Sequence, residues 1–404
     1  MRILIVTQYF YPEQFQINEV SAALVARGHS VTVLTGLPNY PKGEIYGGYE
    51  KAYTSEEDYC GVKVIRCNLH PRKSGPLHLI LNYLSFCSNA TRAIKHLKED
   101  FDIVFAYQLS PVLSAKPATF YAKKNKLPLF LYCLDIWPES AQAQIKNTRS
   151  LPYKMIAKLS KGIYSACDHI AVTSRPFTDY LHRQNSVPFE KMSYIPQHSD
   201  KTYLDTDFSG EQGDLVHFMY AGNMGKGQVL EVIINAVVRL GDRDDYRVHF
   251  VGDGSQREVL ESLVREQGLS NRVIFHGNQK REDMPTYYKM ADALLLTLRG
   301  NNAVGDTMPG KLQAYMSTGK PILAAINGAA AEVIEESACG ACVKAGDSEG
   351  LAEIMKHYLE HREEYAACGE RGRAYFANHF TLDIHVDQLE KQLEKTVYEY
   401  NRSI

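Results

Sequence analysis

In the run Gly305 to Pro321, GDTMPGKLQAYMSTGKP, a lysine follows a proline and a glycine. Pro309 can open a helix, because its missing N–H would be an orphan there anyway. Lys311, Leu312, Tyr315 and Met316 then recur at helical spacing, and Gly319 is a natural stop. Lys311 therefore stands in a first turn, where the helix dipole disfavours a cation. An anion resolves that conflict. The N–H groups of Thr307, Met308 and Gly310, with Pro309 shaping the turn, and the Lys311 ammonium could together cradle a phosphate. The alternative is an ordinary loop with a solvated lysine.

Other glycine turns also follow strand-like runs. Val216 to Tyr220 leads into Ala221-Gly222-Asn223-Met224-Gly225-Lys226-Gly227, Arg247 to Val251 into Gly252-Asp253-Gly254, and Val273 to His276 into Gly277. Glycine there lets backbone N–H groups approach a phosphate. The first turn reads GxxGxG rather than GxGxxG. No acidic residue ends a second strand about 20 residues on, so a dinucleotide is not indicated. Asp242, Asp244 and Asp245 lie in a charged loop and read as a solvated turn, so no metal site is expected. Asp135 follows the strand Leu129 to Cys133 and precedes Trp137-Pro138. It reads as an acceptor-side contact or as a helix N-cap. Glu139 is an acceptor contact or a first-turn carboxylate. His198 reads as a hinge or structural residue.

The elements that must position these groups alternate. Arg2 to Val6, Ser30 to Thr35, Gly61 to Cys67, Phe101 to Ala106, Leu129 to Cys133 and Ile170 to Thr173 are strand-like, with helical segments between. An acidic, glycine-bearing break over Ser199 to Gly213 precedes a second alternation: Val216 to Tyr220, Arg247 to Val251, Val273 to His276, Ala293 to Leu298 and Pro321 to Ala325. The pattern predicts an α/β protein of two doubly wound, Rossmann-like domains facing a cleft. Residues 1–199 form one domain, 200–381 the other, and a last helix, 382–404, packs back on the first. The 404 residues carry a net charge of −2, so no global field argues for nucleic acid. No stretch approaches the roughly 20 apolar residues of a membrane span. The eight cysteines are scattered, Cys339-Gly340-Ala341-Cys342 reads as a chance spacing, and no export signal opens the chain. A reducing cytosol is expected.

Four segments of the second half occur together in the order and spacing of a known family: Tyr220-Ala221-Gly222-Asn223, Phe250-Val251-Gly252-Asp253-Gly254, Val273-Ile274-Phe275-His276-Gly277, and Pro309 to Pro321. The chain resembles the family 4 retaining glycosyltransferases of the GT-B fold. Arg27 to Gly36, Pro38-Asn39-Tyr40-Pro41 and Asp135 to Ser140 extend the likeness through the first half. The last two are similar to the WbuB-type transferases of bacterial surface polysaccharides. The resemblance implies a UDP-sugar donor and no metal cofactor. Donor contacts would fall at Gly222, Asn223, Gly225, Gly252, Gly254, Gly277, Thr307, Met308, Pro309 and Gly310. Charge neutralisation would fall to Lys226 and Lys311, a sugar contact to Asp306, and an acceptor contact to Asp135. The family's two glutamates, eight positions apart, are here Asp306 and Ala314. Ala314 cannot hold a ribose, which leaves Gln313 or a backbone group.

The resemblance makes the first half the acceptor side. Leu77 to Phe86 and Tyr153 to Tyr164 interleave or flank apolar residues with lysines, arginines and His70, which suits an anionic membrane surface or simply two helices packed on a sheet. The implied acceptor is a polyprenyl-diphosphate-linked saccharide, with the enzyme peripheral on the inner face of the cell membrane. A nucleotide-sugar 2-epimerase and a non-catalytic scaffold are the alternatives.

Overall fold

The computed structural model describes residues 1–49, 56–143, 145–208, 210, 213–300 and 308–403. The chain divides into two units, Met1–Pro196 with His385–Ile404, and Gln197–Ile384.

The first unit is built on an eight-stranded sheet. Its strands are β1 (Arg2–Val6), β2 (Ser30–Gly36), β3 (Glu56–Tyr59), β4 (Val62–Cys67), β5 (Ile103–Gln108), β6 (Leu129–Cys133), β7 (His169–Val172) and β8 (Met192–Tyr194), in the order β3-β4-β2-β1-β5-β6-β7-β8. All pairs are parallel except the β3–β4 hairpin at one edge. The central strands are apolar on both faces, as a sheet covered by helices requires. The long helix Leu382–Ser403 contributes to this unit through buried Val386, Leu389 and Leu393. Glu390 on it accepts hydrogen bonds from Arg27 at 3.0 Å and from His29 at 2.7 Å.

The second unit holds a six-stranded parallel sheet: β9 (Val216–Ala221), β10 (Tyr246–Val251), β11 (Val273–Gly277), β12 (Ala293–Thr297), β13 (Ile322–Ala325) and β14 (Gly340–Val343). The order is β11-β10-β9-β12-β13-β14, so the winding reverses between β9 and β12. Ligands of such sheets sit at that reversal, outside the carboxyl ends of the strands. Gly340, read in sequence within a chance CxxC, opens β14. A Cβ there would stand 1.8 Å from the Ile322 carbonyl oxygen, so only glycine fits.

The β9–β12 ladder is short. It pairs Phe218 with Ala293 and Met219 with Leu294, and stops. Beyond it a side chain takes over. Tyr315, wholly buried on the helix Gly310–Thr318, accepts from the Ala221 N–H at 2.7 Å and donates to the Ala221 carbonyl at 3.0 Å. Pro309 precedes this helix, and Gly319 ends it in the left-handed conformation (φ +73°). Removing the hydroxyl leaves a buried N–H and C=O unpaired. Tyr315→Phe should therefore cost roughly 1–3 kcal/mol, read by urea denaturation. A loss below the error of the fit would contradict this role.

Candidate functional site

The reversal point of the second sheet brings the two informative loops together. Lys311, one residue into its helix, reaches back across it. Its ammonium donates to Gln228 Oε1 at 2.9 Å, to the Asn223 carbonyl at 3.3 Å and to the Tyr220 hydroxyl, and lies 4.4 Å from the Tyr220 ring centroid. Among the described residues its partners are all neutral. Burial pulls its pKa down from 10.5 to about 8. A desolvated cation held only by dipoles and a π face is incomplete without an anion.

Glycines make this approach possible. A Cβ at Gly222 (φ +138°) would stand 2.3 Å from Lys311 Cε, and one at Gly252 would meet the Gly222 carbonyl at 2.1 Å. The first-strand loop is tied to β12 through Gln228, whose carbonyl accepts from Thr297 Oγ1 at 2.6 Å, and through Gly227, whose carbonyl accepts from the Arg299 N–H at 2.9 Å. Beside Lys311 a cavity of about 420 Å³ is lined by Gly222, Asn223, Gly252, Asn278, Gln279 and Tyr288, among others. Gly225, Gly254 and Gly277 do not line it. Gly254 lets the second loop lie against the backbone of Met224, and the Gly277 carbonyl accepts from the Gly252 N–H at 2.8 Å. Met308 packs against the core, while Pro309 and Gly310 set the helix start.

Lys226 is exposed on the turn Lys226–Gln228, where its carbonyl accepts from Arg299. Asp306 and Thr307 lie outside the described residues. Gln313 is corrected as a ribose contact: its amide is buried and donates to the Gln197 carbonyl at 2.7 Å. Asp135 belongs to the first unit. It accepts from the Ser140 hydroxyl and from Trp137 Nε1 at 3.3 Å. The next helical turn starts only at Glu139, so Asp135 is not its N-cap. Glu139 accepts from the Tyr180 hydroxyl at 3.0 Å. Sequence reasoning missed the roles of Tyr220, Gln228 and Tyr315.

A larger cavity, about 760 Å³, lies at the amino ends of β9, β12 and β13 between His217, Asp292, Lys320 and Arg362. Its walls carry both signs of charge, and it opens at the end of the sheet away from Lys311.

The family comparisons agree with this geometry. "Glycosyl transferase 4-like domain" matches residues 14–198, and "Glycosyl transferases group 1" matches residues 205–375. The chain belongs to the family 4 glycosyltransferases of the GT-B fold. It is an enzyme, a transferase of glycosyl groups. It is 25% identical to the putative colanic acid biosynthesis glycosyl transferase WcaI of Escherichia coli (strain K12), over 79% of this chain and 82% of the relative. It is 23% identical to the probable glycosyltransferase WbjE of Pseudomonas aeruginosa, over 62% of this chain and 64% of that one. Among solved structures, Anabaena HepE in complex with UDP superposes with TM-score 0.69 at 16% identity, covering 98% of this chain and 100% of that one. The lipopolysaccharide outer core galactosyltransferase WaaB gives TM-score 0.68 at 16% identity, covering 99% of each.

Lys311 gives the site a pH signature. Without ligand it loses its proton near pH 8, whereas a bound diphosphate would hold that proton. UDP affinity should therefore fall as pH rises from 7.5 to 9.5, with proton uptake near pH 8.5 in calorimetry run in two buffers. Lys311→Met should flatten the profile. It should also raise the stability of the UDP-free protein below pH 8, where the charged lysine opposes folding. An unchanged profile in the variant would contradict the assignment.

Proposed function

We propose that the protein is a retaining glycosyltransferase that moves an N-acetylated sugar from a UDP-sugar to a polyprenyl-diphosphate-linked saccharide in bacterial surface-polysaccharide synthesis. The observation that carries the donor half is Lys311, buried among neutral acceptors at the carboxyl ends of the strands. Departure of UDP builds negative charge on the leaving phosphate. In this reading Lys311, Lys226 and the first N–H groups of the helix Gly310–Thr318 meet that charge. A divalent ion is not part of this scheme. The acceptor hydroxyl attacks on the face the phosphate leaves and passes its proton to that phosphate. Asp306 holds a sugar hydroxyl, and Asp135 contacts the acceptor.

The acceptor half is supported by the relatives and by the surface of the first unit. WcaI is described for colanic acid biosynthesis and WaaB for the lipopolysaccharide outer core. HepE structures with UDP and UDP-glucose support the UDP donor, although other relatives are described as GDP-mannose-dependent. No helix among the described residues is long and apolar enough to cross a membrane. Two helices instead expose apolar side chains: Leu77, Ile80, Leu81 and Leu84 on Pro76–Ala93, and Leu151 and Met155 on Leu151–Ser165 beside Lys154 and Lys158. This pattern suits peripheral contact with an anionic inner leaflet.

Ala314, where a ribose-holding glutamate is expected, favours a second reading, a non-catalytic scaffold. Purified enzyme with UDP-N-acetylhexosamine should release UDP only when a lipid-linked acceptor is added, and should do so in EDTA. Lys311→Ala should lower kcat/KM about 100-fold, roughly 2.7 kcal/mol, and Lys226→Ala should also lower it. Failure to bind UDP at all would favour the scaffold. Sugar interconversion without acceptor would favour an epimerase.

Membrane contact has its own readout. The wild type should co-sediment with phosphatidylglycerol vesicles, and the Ile80→Ser/Leu84→Ser double variant should lose most of that binding. Equal sedimentation of both would remove this helix from the membrane reading.

A further inference from the structure

Three loops at the carboxyl end of the first sheet converge on one arginine. Tyr9 follows β1, Tyr40 follows β2 and Arg72 follows β4. The Arg72 guanidinium lies 5.4 Å from the Tyr40 ring centroid, and the Tyr9 and Tyr40 rings are 5.7 Å apart. This floor is fixed from beneath. Buried Glu13 accepts the N–H groups of Asn39 at 2.8 Å and Tyr40 at 2.7 Å, and Asn39 Oδ1 accepts the Arg72 N–H at 2.9 Å.

Arg72 is half buried, and the groups that act on its charge are Tyr9, Tyr83 and Tyr40. Among the described residues no carboxylate forms an ion pair with it. The unit's other inward-facing arginines are neutralised: Arg66 by Glu57 at 2.9 Å and Arg27 by Glu390 at 3.0 Å. A guanidinium taken partly out of water without a carboxylate, beside the exposed Tyr40 ring, matches a phosphate in charge and in its forked geometry. Asp135 follows β6, so it stands at the same carboxyl end of the sheet as Arg72, and Tyr83 feels the charge of both. The helix that begins four residues after Arg72 carries Leu77, Ile80, Leu81 and Leu84 outward at the spacing of a single stripe.

We propose that Arg72 binds the acceptor's diphosphate, with the adjoining sugar on the exposed Tyr40 ring and the prenyl chain leaving along the Leu77–Leu84 stripe. This rests on the reading that the acceptor is lipid-linked.

The test uses the full chain with UDP saturating the second unit, and farnesyl diphosphate as probe. Calorimetry should show binding by the wild type, at least tenfold weaker binding by Arg72→Gln, and partial recovery in Arg72→Lys. UDP affinity should be the same in all three. In the transfer assay Arg72→Gln should raise the acceptor KM and leave the donor KM alone. Farnesol should bind at least tenfold more weakly than farnesyl diphosphate, and inorganic pyrophosphate also more weakly. Equal affinity of wild type and Arg72→Gln, no binding by the wild type, or farnesol binding as tightly as its diphosphate overturns the proposal. Arg72-dependent binding without glycosyl transfer would leave this site standing and remove the proposed reaction instead.

Discussion

One tyrosine hydroxyl does the work of a missing stretch of β-ladder. Where β9 and β12 part, the Ala221 N–H and C=O would face a gap, and Tyr315 fills it with both of their hydrogen bonds. The parting is what makes room for a ligand at the carboxyl ends. The tyrosine makes that room affordable in a buried sheet. It also fixes the helix it sits on. Lys311, four residues earlier on the same face, is thereby aimed over β9 at Tyr220, Asn223 and Gln228.

The electrostatics follow from that aim. The protein pairs Arg66, Arg27 and Arg272 with carboxylates. At Lys311 and Arg72 it supplies tyrosines and amides instead. A ring face and an amide oxygen lower the cost of burying a cation without cancelling its charge. Both cations thus stand at the carboxyl end of their own sheets without a carboxylate partner among the described residues. Ribose recognition has no comparable provision at Ala314, since the neighbouring Gln313 is committed to the Gln197 carbonyl.

Much of this was legible in the sequence, for reasons of period and punctuation. β1, β6 and β12 are apolar runs bounded by polar residues. Pro309 and Gly319 mark the ends of their helix because φ restricts what can stand there. The edge strands β3, β8 and β14 were missed. They are three or four residues long, and β3 is too polar to give an apolar period. The site was half legible. Gly222 and Lys311 were readable as types that suit a phosphate. That Gly222 chiefly makes space for the lysine's own stem was not, because it depends on two segments 89 positions apart. Tyr315 looked like a core aromatic in a helical stripe, and nothing local reveals where a hydroxyl ends. Arg72 looked like one of several basic residues flanking a helix. That no carboxylate among the described residues pairs with it emerges only when three loops are brought together.

The two-residue contact between β9 and β12 also sets the mechanical grain of the second unit. Its sheet is two three-stranded halves, β11-β10-β9 and β12-β13-β14, joined across the β9–β12 seam by two ladder positions, by Asp292 on His217 at the amino end, and by Tyr315 and the Thr297–Gln228 bond beyond. A nucleotide lying across it would touch both halves at once and act as a stitch.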